Sequence, residues 1–227
     1  MTVEDGDAAG ATASPDPHDT ITREVRTEIT VTKSRFITTL APVDDLDAAQ
    51  ARIAEVRREF HDARHHCTAL ILGPHGDRER SNDDGEPAGT AGAPMLSVLR
   101  GAELTDVVAV VTRYFGGTLL GAGGLVRAYS DAVAAAVDTA PRLARRRLAI
   151  VEVRASHADA GKLEHRLRAW ADEHEATVAP GEYDAGGAGF EVAVPPAARA
   201  ALDGALAELG LAADVTDLGD EIRDRPR

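Results

Sequence analysis

Val110-Val111-Thr112-Arg113-Tyr114-Phe115-Gly116-Gly117-Thr118-Leu119-Leu120-Gly121-Ala122-Gly123-Gly124-Leu125-Val126-Arg127-Ala128-Tyr129 decides how this chain folds. The run from Val107 to Val111 is apolar and mostly β-branched, which predicts a strand buried on both faces. Five glycines follow (Gly116, Gly117, Gly121, Gly123 and Gly124), so the chain turns. Leu125, Tyr129, Val133, Ala136 and Val137 then recur at helical spacing until Pro141 stops the helix. A strand running through glycines into a helix suits an anion, because backbone N–H groups can approach it and the helix N-terminus is partly positive. Arg113 and Arg127 flank the loop and suit a phosphate; Tyr114 and Phe115 offer faces for stacking. The loop is neither a P-loop nor a G-x-G-x-x-G turn. A second reading makes it a tight turn whose glycines allow close packing, with both arginines solvated or paired to nearby acids.

Upstream, Val25, Thr27, Ile29 and Val31 alternate with polar residues as in a half-buried strand, and Arg35 to Val43 predicts a second. Leu46, Ala49, Ile53, Val56 and Phe60 mark a helix behind a capping candidate, Asp44. Cys67 to Leu72 predicts a buried strand, Gly73 to Gly89 a polar loop, and Ala93 to Leu99 a short helix. Downstream, Leu148 to Val153 predicts a strand, and Leu163, Leu167 and Trp170 a helix. Thr177 to Tyr183 and Phe190 to Val194 predict two strands around Gly186, Gly187 and Gly189. Leu202, Ala205, Leu206 and Leu209 follow as a helix, and Ala213 to Leu218 as a last strand. That order is β-α-β-β-α-β, the ferredoxin-like pattern.

Composition narrows the function. The 227 residues carry a net charge of -13, unevenly spread. Residues 1–19 hold five acids and no Lys or Arg, and 151–227 hold 16 acids against 8 bases, whereas 20–150 is neutral. The acidity opposes nonspecific binding of nucleic acid but leaves room for a local basic site between 20 and 150. No apolar run is long enough to span a membrane. The acidic first ten residues lack the apolar segment of a secretory signal, and a single cysteine, Cys67, allows no internal disulfide; a cytoplasmic location is expected.

Two further clusters could carry chemistry. Asp83, Asp84 and Glu86 place three carboxylates within four residues, which suits Mg²⁺ or Ca²⁺ through oxygen ligands or a general base, or else an Asp-Gly turn followed by a helix cap at Thr90 or Ser81. In Arg64-His65-His66-Cys67, His65 is the candidate working group, and Cys67 reads as a buried, inert thiol. No set of zinc ligands is evident. Arg145-Arg146-Arg147 reads as a solvated linker.

Lys33-Ser34-Arg35-Phe36-Ile37, Ala63-x-His65-x-Cys67-x-Ala69, the loop from Asp83 to Pro94, and the segment from Val110 to Tyr129 occur in this order across about 100 residues. Together they resemble the IMPACT/YigZ family. The resemblance covers residues 20–140 strongly; the C-terminal unit is similar in pattern to the family's bacterial ferredoxin-like domain, which is like the last domain of elongation factor G. It implies an α+β chain. A left-handed β-α-β domain of the kind found in ribosomal proteins and GHMP kinases spans 20–141, and a ferredoxin-like domain spans 147–220. An acidic disordered tail (1–19) and a short tail (221–227) flank them.

The resemblance also implies a regulator linked to translation, since the family's animal member is one. The expected role is non-enzymatic: binding of RNA, a nucleotide, the ribosome or a translation factor through Arg113, Tyr114, Phe115, Gly116, Gly117, Gly121, Gly123, Gly124, Arg127 and Tyr129. His65, Cys67, Asp83, Asp84, Glu86 and Thr90 form a second polar group. No cofactor is expected. The alternative is a Mg-dependent phosphotransferase or hydrolase using Asp83, Asp84 and Glu86. A third reading is a protein adaptor using the acidic C-terminal unit.

Overall fold

Val107, Ala109 and Val111 face one way and Val108 and Val110 the other, and all five are fully buried. A strand with two buried faces needs a layer on each side, and that requirement organises the N-terminal half. The computed structural model describes residues 17–208 and 213–226. Its elements in chain order are β1 (Thr20–Ile21), β2 (Val25–Val31), β3 (Ser34–Pro42), α1 (Leu46–Glu59), β4 (His65–Leu72), β5 (Arg78–Asn82), α2 (Gly92–Gly101), β6 (Val107–Tyr114) and α3 (Gly121–Thr139). Then come β7 (Arg142–Ala155), α4 (Ala160–Glu173), β8 (Thr177–Val178), β9 (Glu182–Asp184), β10 (Gly187–Val194), a 3₁₀ turn (Pro196–Ala198), α5 (Arg199–Glu208) and β11 (Asp214–Pro226).

The first sheet has the order β2-β3-β6-β4-β5, with every neighbour antiparallel. β3 and β4 therefore run parallel to each other with β6 between them, and α1 makes the crossing. Ala49 and Val56 of α1 pack on Leu70, Leu72, Val108 and Val110. α2 and α3 cover the other face, where Met95, Leu99, Leu125, Tyr129 and Val133 meet Phe36, Leu40, Cys67, Val107 and Val111. Each such buried Val or Leu contributes about 1.5–3 kcal/mol relative to exposure.

The second sheet follows the path β1-β7-β10-β8, with β11 also on β7 and β9 on β10, all antiparallel. α4 and α5 cover one face of it through Leu163, Leu167, Leu202 and Leu206. The chain is thus α+β and built as two units. Among the described residues no helix is long and apolar enough to cross a membrane.

Several boundaries differ from the sequence reading. The cap of α1 is Asp45, not Asp44: its carboxylate accepts from the Ala48 N–H at 2.8 Å. The 73–89 loop contains β5, whose residues Arg-Glu-Arg-Ser-Asn are all exposed; an edge strand that buries nothing shows no apolar period. α3 begins at Gly121, inside the glycines. The strand expected over 177–183 is broken into β8 and β9. The basic run at 145–147 is no linker, because β7 starts at Arg142. Arg145 is held on two sides, by Asp106 of the first unit and by Asp224 of β11, the latter at 3.1 Å. β1, from the segment expected to open the first domain, pairs with Leu143 and Arg142 in the second sheet. Residues 221–226, expected as a tail, continue β11. The expected N-terminal tail falls at 1–16 outside the described residues. Its last part is packed: the Asp19 N–H donates to the Glu103 carbonyl at 3.1 Å, and Asp19 is 7% exposed. Leu209 and Arg227 also lie outside the described residues.

Candidate functional site

β-sheet register sets the centre of the site. Arg113 of β6 is opposite His65 of β4 on one side and Phe36 of β3 on the other. Directly paired residues point to the same face, so the three form a row on the α3 side of the sheet. Arg113 is a cation at the end of an apolar strand, and its side chain is only 7% exposed. Burial of a charge demands a partner. Glu86, 4% exposed, supplies it: Arg113 Nη1 donates to Glu86 Oε1 at 2.6 Å. The guanidinium carbon also lies 5.4 Å from the Phe36 ring centroid and 5.8 Å from that of Phe115, at cation–π range. Arg113 Nε is buried and, among the described residues, has no hydrogen-bond partner.

The acidic loop builds the floor under this pair. Asp83 accepts from the backbone N–H groups of Gly89 (2.8 Å), Ala91 (3.0 Å) and Gly92 (2.8 Å), so it caps α2 from a distance. Burial raises the Asp83 carboxyl, but those three N–H groups outweigh it and hold it below the usual range. Asp84 accepts from the His66 N–H at 2.7 Å and from Arg57 at 2.7 Å, and its carbonyl accepts from His65 Nδ1 at 2.8 Å. Glu86 accepts a second bond, from the Tyr129 hydroxyl at 2.8 Å. The Cys67 thiol lies 3.0 Å from the Asp83 carbonyl oxygen and 3.2 Å from Tyr129 Oη. Burial pushes that thiol up to about 12, so it is not a nucleophile near neutral pH. Burial, with Cys67 and Glu86 beside it, also pushes the Tyr129 phenol up.

The glycine loop forms the rim. Gly116 is a matter of space: a Cβ there would lie 2.1 Å from the Lys33 carbonyl carbon, and its N–H donates to Ser34 Oγ at 3.1 Å. Gly117 (φ +88°) and Gly121 (φ +69°) are a matter of conformation, because side chains rarely adopt those angles. α3 then starts behind Leu120 with no side-chain cap. Its first N–H groups have no acceptor within the helix. Between rim and floor lies a cavity of about 350 Å³ that includes Arg64, His65, Glu86, Arg113, Phe115, Leu119, Gly121 and Ala122 in its lining.

The structure therefore brings together His65, Glu86, Arg113, Phe115 and Gly121. Cys67, Asp83 and Tyr129 support them from below. Thr90 is buried and bonds the Pro87 carbonyl at 2.7 Å, within the same loop. Gly116 and Gly117 shape the turn, and Gly123 and Gly124 lie in the first turn of α3. Tyr114 alternates away from Arg113: it donates to Asp62 at 2.6 Å, which pushes its phenol up to about 12, and Arg35 sits over its ring. Arg127 is exposed on α3, away from the cavity. The three acids do not share one point, and among the described residues no three His, Cys, Asp or Glu side chains gather as metal ligands. Sequence reasoning missed Phe36, Arg64, Leu119 and Ala122 as lining or supporting residues. All four stand inside the quoted motifs, but which of them reach the cavity depends on strand pairing and helix packing.

Residues 32–137 match the family model of the Impact N-terminal domain. The chain is 43% identical over 141 residues to the IMPACT family member YvyE of Bacillus subtilis, covering 62% of this chain and 65% of that protein. It is 53% identical over 105 residues to YigZ of Escherichia coli, covering 45% and 52%. An IMPACT family member of Thermus thermophilus is 36% identical over 166 residues, covering 73% of this chain and 87% of its own length. The chain belongs to the IMPACT family. The matched part spans from about half to two thirds of YigZ and YvyE. A crystal structure titled as that of a hypothetical protein aligns with 34% identity and a TM-score of 0.57, covering 89% of this chain and 97% of that one. The translational regulator Yih1, at 20% identity and a TM-score of 0.32, is too distant to bear on this chain. The IMPACT match contains every residue of the Arg113 cavity.

Proposed function

We propose that this IMPACT-family protein is a non-enzymatic regulator linked to translation, and that it binds RNA or a nucleotide by taking a phosphate into the cavity above Arg113. The observation that carries this reading is the guanidinium itself. Glu86 holds its Nη1 at 2.6 Å, and the same arginine lines one cavity with Gly121 and Ala122 of α3, whose N-terminus has no side-chain cap. An anion in that cavity meets the guanidinium and the dipole of α3. Phe115, 47% exposed, adds a face on which a base can stack. The link to translation rests on the family resemblance, and a cytoplasmic location goes with it.

Two finer fold readings belong to the same proposal. The element order of the second unit and its antiparallel order β11-β7-β10-β8 support a ferredoxin-like domain. The crossing of α1 between β3 and β4 is the place where a left-handed β-α-β unit would lie. The Mg-dependent alternative draws no support from the acids, since Asp83, Asp84 and Glu86 are each engaged elsewhere.

The test uses Ala122→Glu. Ala122 is exposed in the first turn of α3 and lines the cavity. A carboxylate there favours the helix but occupies the anion site. Wild-type protein should bind a short single-stranded RNA in fluorescence anisotropy at low salt. The variant should lose at least about tenfold in affinity with an unchanged melting temperature. Equal affinities would discard the proposal.

A further inference from the structure

We infer that residues 18–22 form a latch that holds the two units in one fixed orientation, closed over the loop 103–106, and that its opening frees one unit to move against the other. This is independent of the anion-binding reading.

The first ground is that β1 belongs to both units. Its backbone pairs with Leu143 and Arg142 of β7 in the second sheet, and the Thr22 N–H donates to the Pro141 carbonyl at 2.9 Å. Its Ile21 side chain, 2% exposed, is instead buried in the core of the first unit, a core that includes Leu104 and Val137. Just before it, Asp19 spans the loop 103–106: its N–H donates to the Glu103 carbonyl at 3.1 Å, and its carbonyl accepts from the Thr105 N–H at 2.8 Å. The His18 N–H donates to the Pro74 carbonyl at 2.8 Å. A single five-residue segment is thus bonded to both units.

The second ground is charge placed across the seam. Arg145 of β7, its side chain 17% exposed, donates to Asp106 of the first unit, while its Nε holds Asp224 of β11 within the second at 3.1 Å. Asp106 uses its other oxygen on the Gly73 N–H at 2.8 Å. Arg146 Nη1 lies 3.6 Å from Asp19, and Arg142 Nη1 donates to the Ala102 carbonyl at 2.9 Å. Three arginines of one strand therefore grip the strap and the loop beneath it. Removing one partner of a largely buried pair leaves a charge without compensation, so the grip depends on both sides being present.

The third ground is strain under the latch. Glu103 (φ +52°) and Asp106 (φ +51°) both occupy the left-handed region, which is uncommon for residues with a side chain and hardest for Glu103, since Asp tolerates it better. Such a backbone persists where its surroundings over-determine it. Here the surroundings are Asp19 and Arg145. The cores of the two units share no residue among the described residues, so each can stay folded while the strap releases and the loop relaxes.

The experiment is native-state hydrogen exchange on the full chain, following the Asp19, Thr22 and Thr105 amides against those of β6 and β10. Asp106→Asn keeps an acceptor for Gly73 and suits the left-handed backbone, but removes the charge that Arg145 meets. It should speed exchange of all three latch amides at least about tenfold and leave β6 and β10 unchanged. Glu103→Gly relieves the strained position and should slow the same amides about threefold. Orientation is read by energy transfer between dyes on Asp47→Cys of α1 and Asp172→Cys of α4, both exposed sites, with Cys67 buried and unlabelled. Asp106→Asn should broaden a distance distribution that is narrow in the otherwise unaltered chain. Latch amides that do not respond to Asp106→Asn, or a speeding shared equally by β6 and β10, would overturn the inference, as would a distance distribution that Asp106→Asn leaves narrow.

Discussion

The acidic loop at 83–86 and the glycine loop at 116–124 face each other across one cavity and use their residues in opposite ways. Every carboxylate of the first is bonded to the protein: Asp83 to three backbone N–H groups, Asp84 to Arg57 and His66, Glu86 to Arg113 and Tyr129. The second leaves its donors open at the start of α3. By residue type the acidic loop looks the more chemical of the two, yet its chemistry is spent on holding the site in place. The glycine loop looks like a turn, and it offers the unfilled valences. A motif's charge therefore does not say whether it works outward or inward; its hydrogen-bond partners do.

Four measurements press on that contrast, from the largest effect down. Glu86→Ala leaves the Arg113 guanidinium buried and unpaired, so urea denaturation should show a loss of about 3–5 kcal/mol. A loss below about 1 kcal/mol would mean the loop is not the foundation described. Gly116→Ala forces a Cβ into the Lys33 backbone, so about 2–3 kcal/mol should go in the same assay, showing that part of the glycine loop is structural too. Asp83→Ala removes the remote cap of α2 and should cost about 1–2 kcal/mol at pH 7. The Asp83 carboxyl is held below its usual range in the folded state. Its contribution is therefore complete above the unfolded value, about 3.9, and is lost as pH falls through the lower folded value. The gap between wild type and Asp83→Ala should close on acidification below about pH 4 and stay constant between pH 6 and 8. Arg127→Ala, on an exposed face without a protein partner among the described residues, should change stability by less than about 0.5 kcal/mol. A larger thermal shift would point to a partner for Arg127 that the present geometry does not contain.

Much of the fold was legible where burial leaves a pattern. The β-branched run at 107–111 implied two buried faces, and the helical spacing from Leu125 to Val137 implied α3. β5 was not legible, because five exposed polar residues on an edge carry no period. Nor was the role of Arg145-Arg146-Arg147, which reads as solvated until Asp106 and Asp224 are brought to it from distant parts of the chain. In the site, the second reading of the glycine loop described Gly116 and Arg113 correctly: close packing in one case, pairing to a nearby acid in the other. Tyr114 was misjudged as a stacking face, because strand alternation sends it to Asp62, opposite to Arg113.

By itself, the sequence determined the family, through motifs in order, and the local elements, through periods of apolar residues. It also determined that no long apolar helix could form and that Cys67 would sit in an apolar strand. Tertiary structure alone decided which acid meets which base. Glu86 reaches Arg113 across 27 residues and Tyr129 across 43. Such pairings follow from strand register and helix packing, where one residue of slip turns a side chain to the opposite face. The same register set Arg113 against Glu86 in the lining of the cavity, and no property of residues 110–129 read in a line contains that fact.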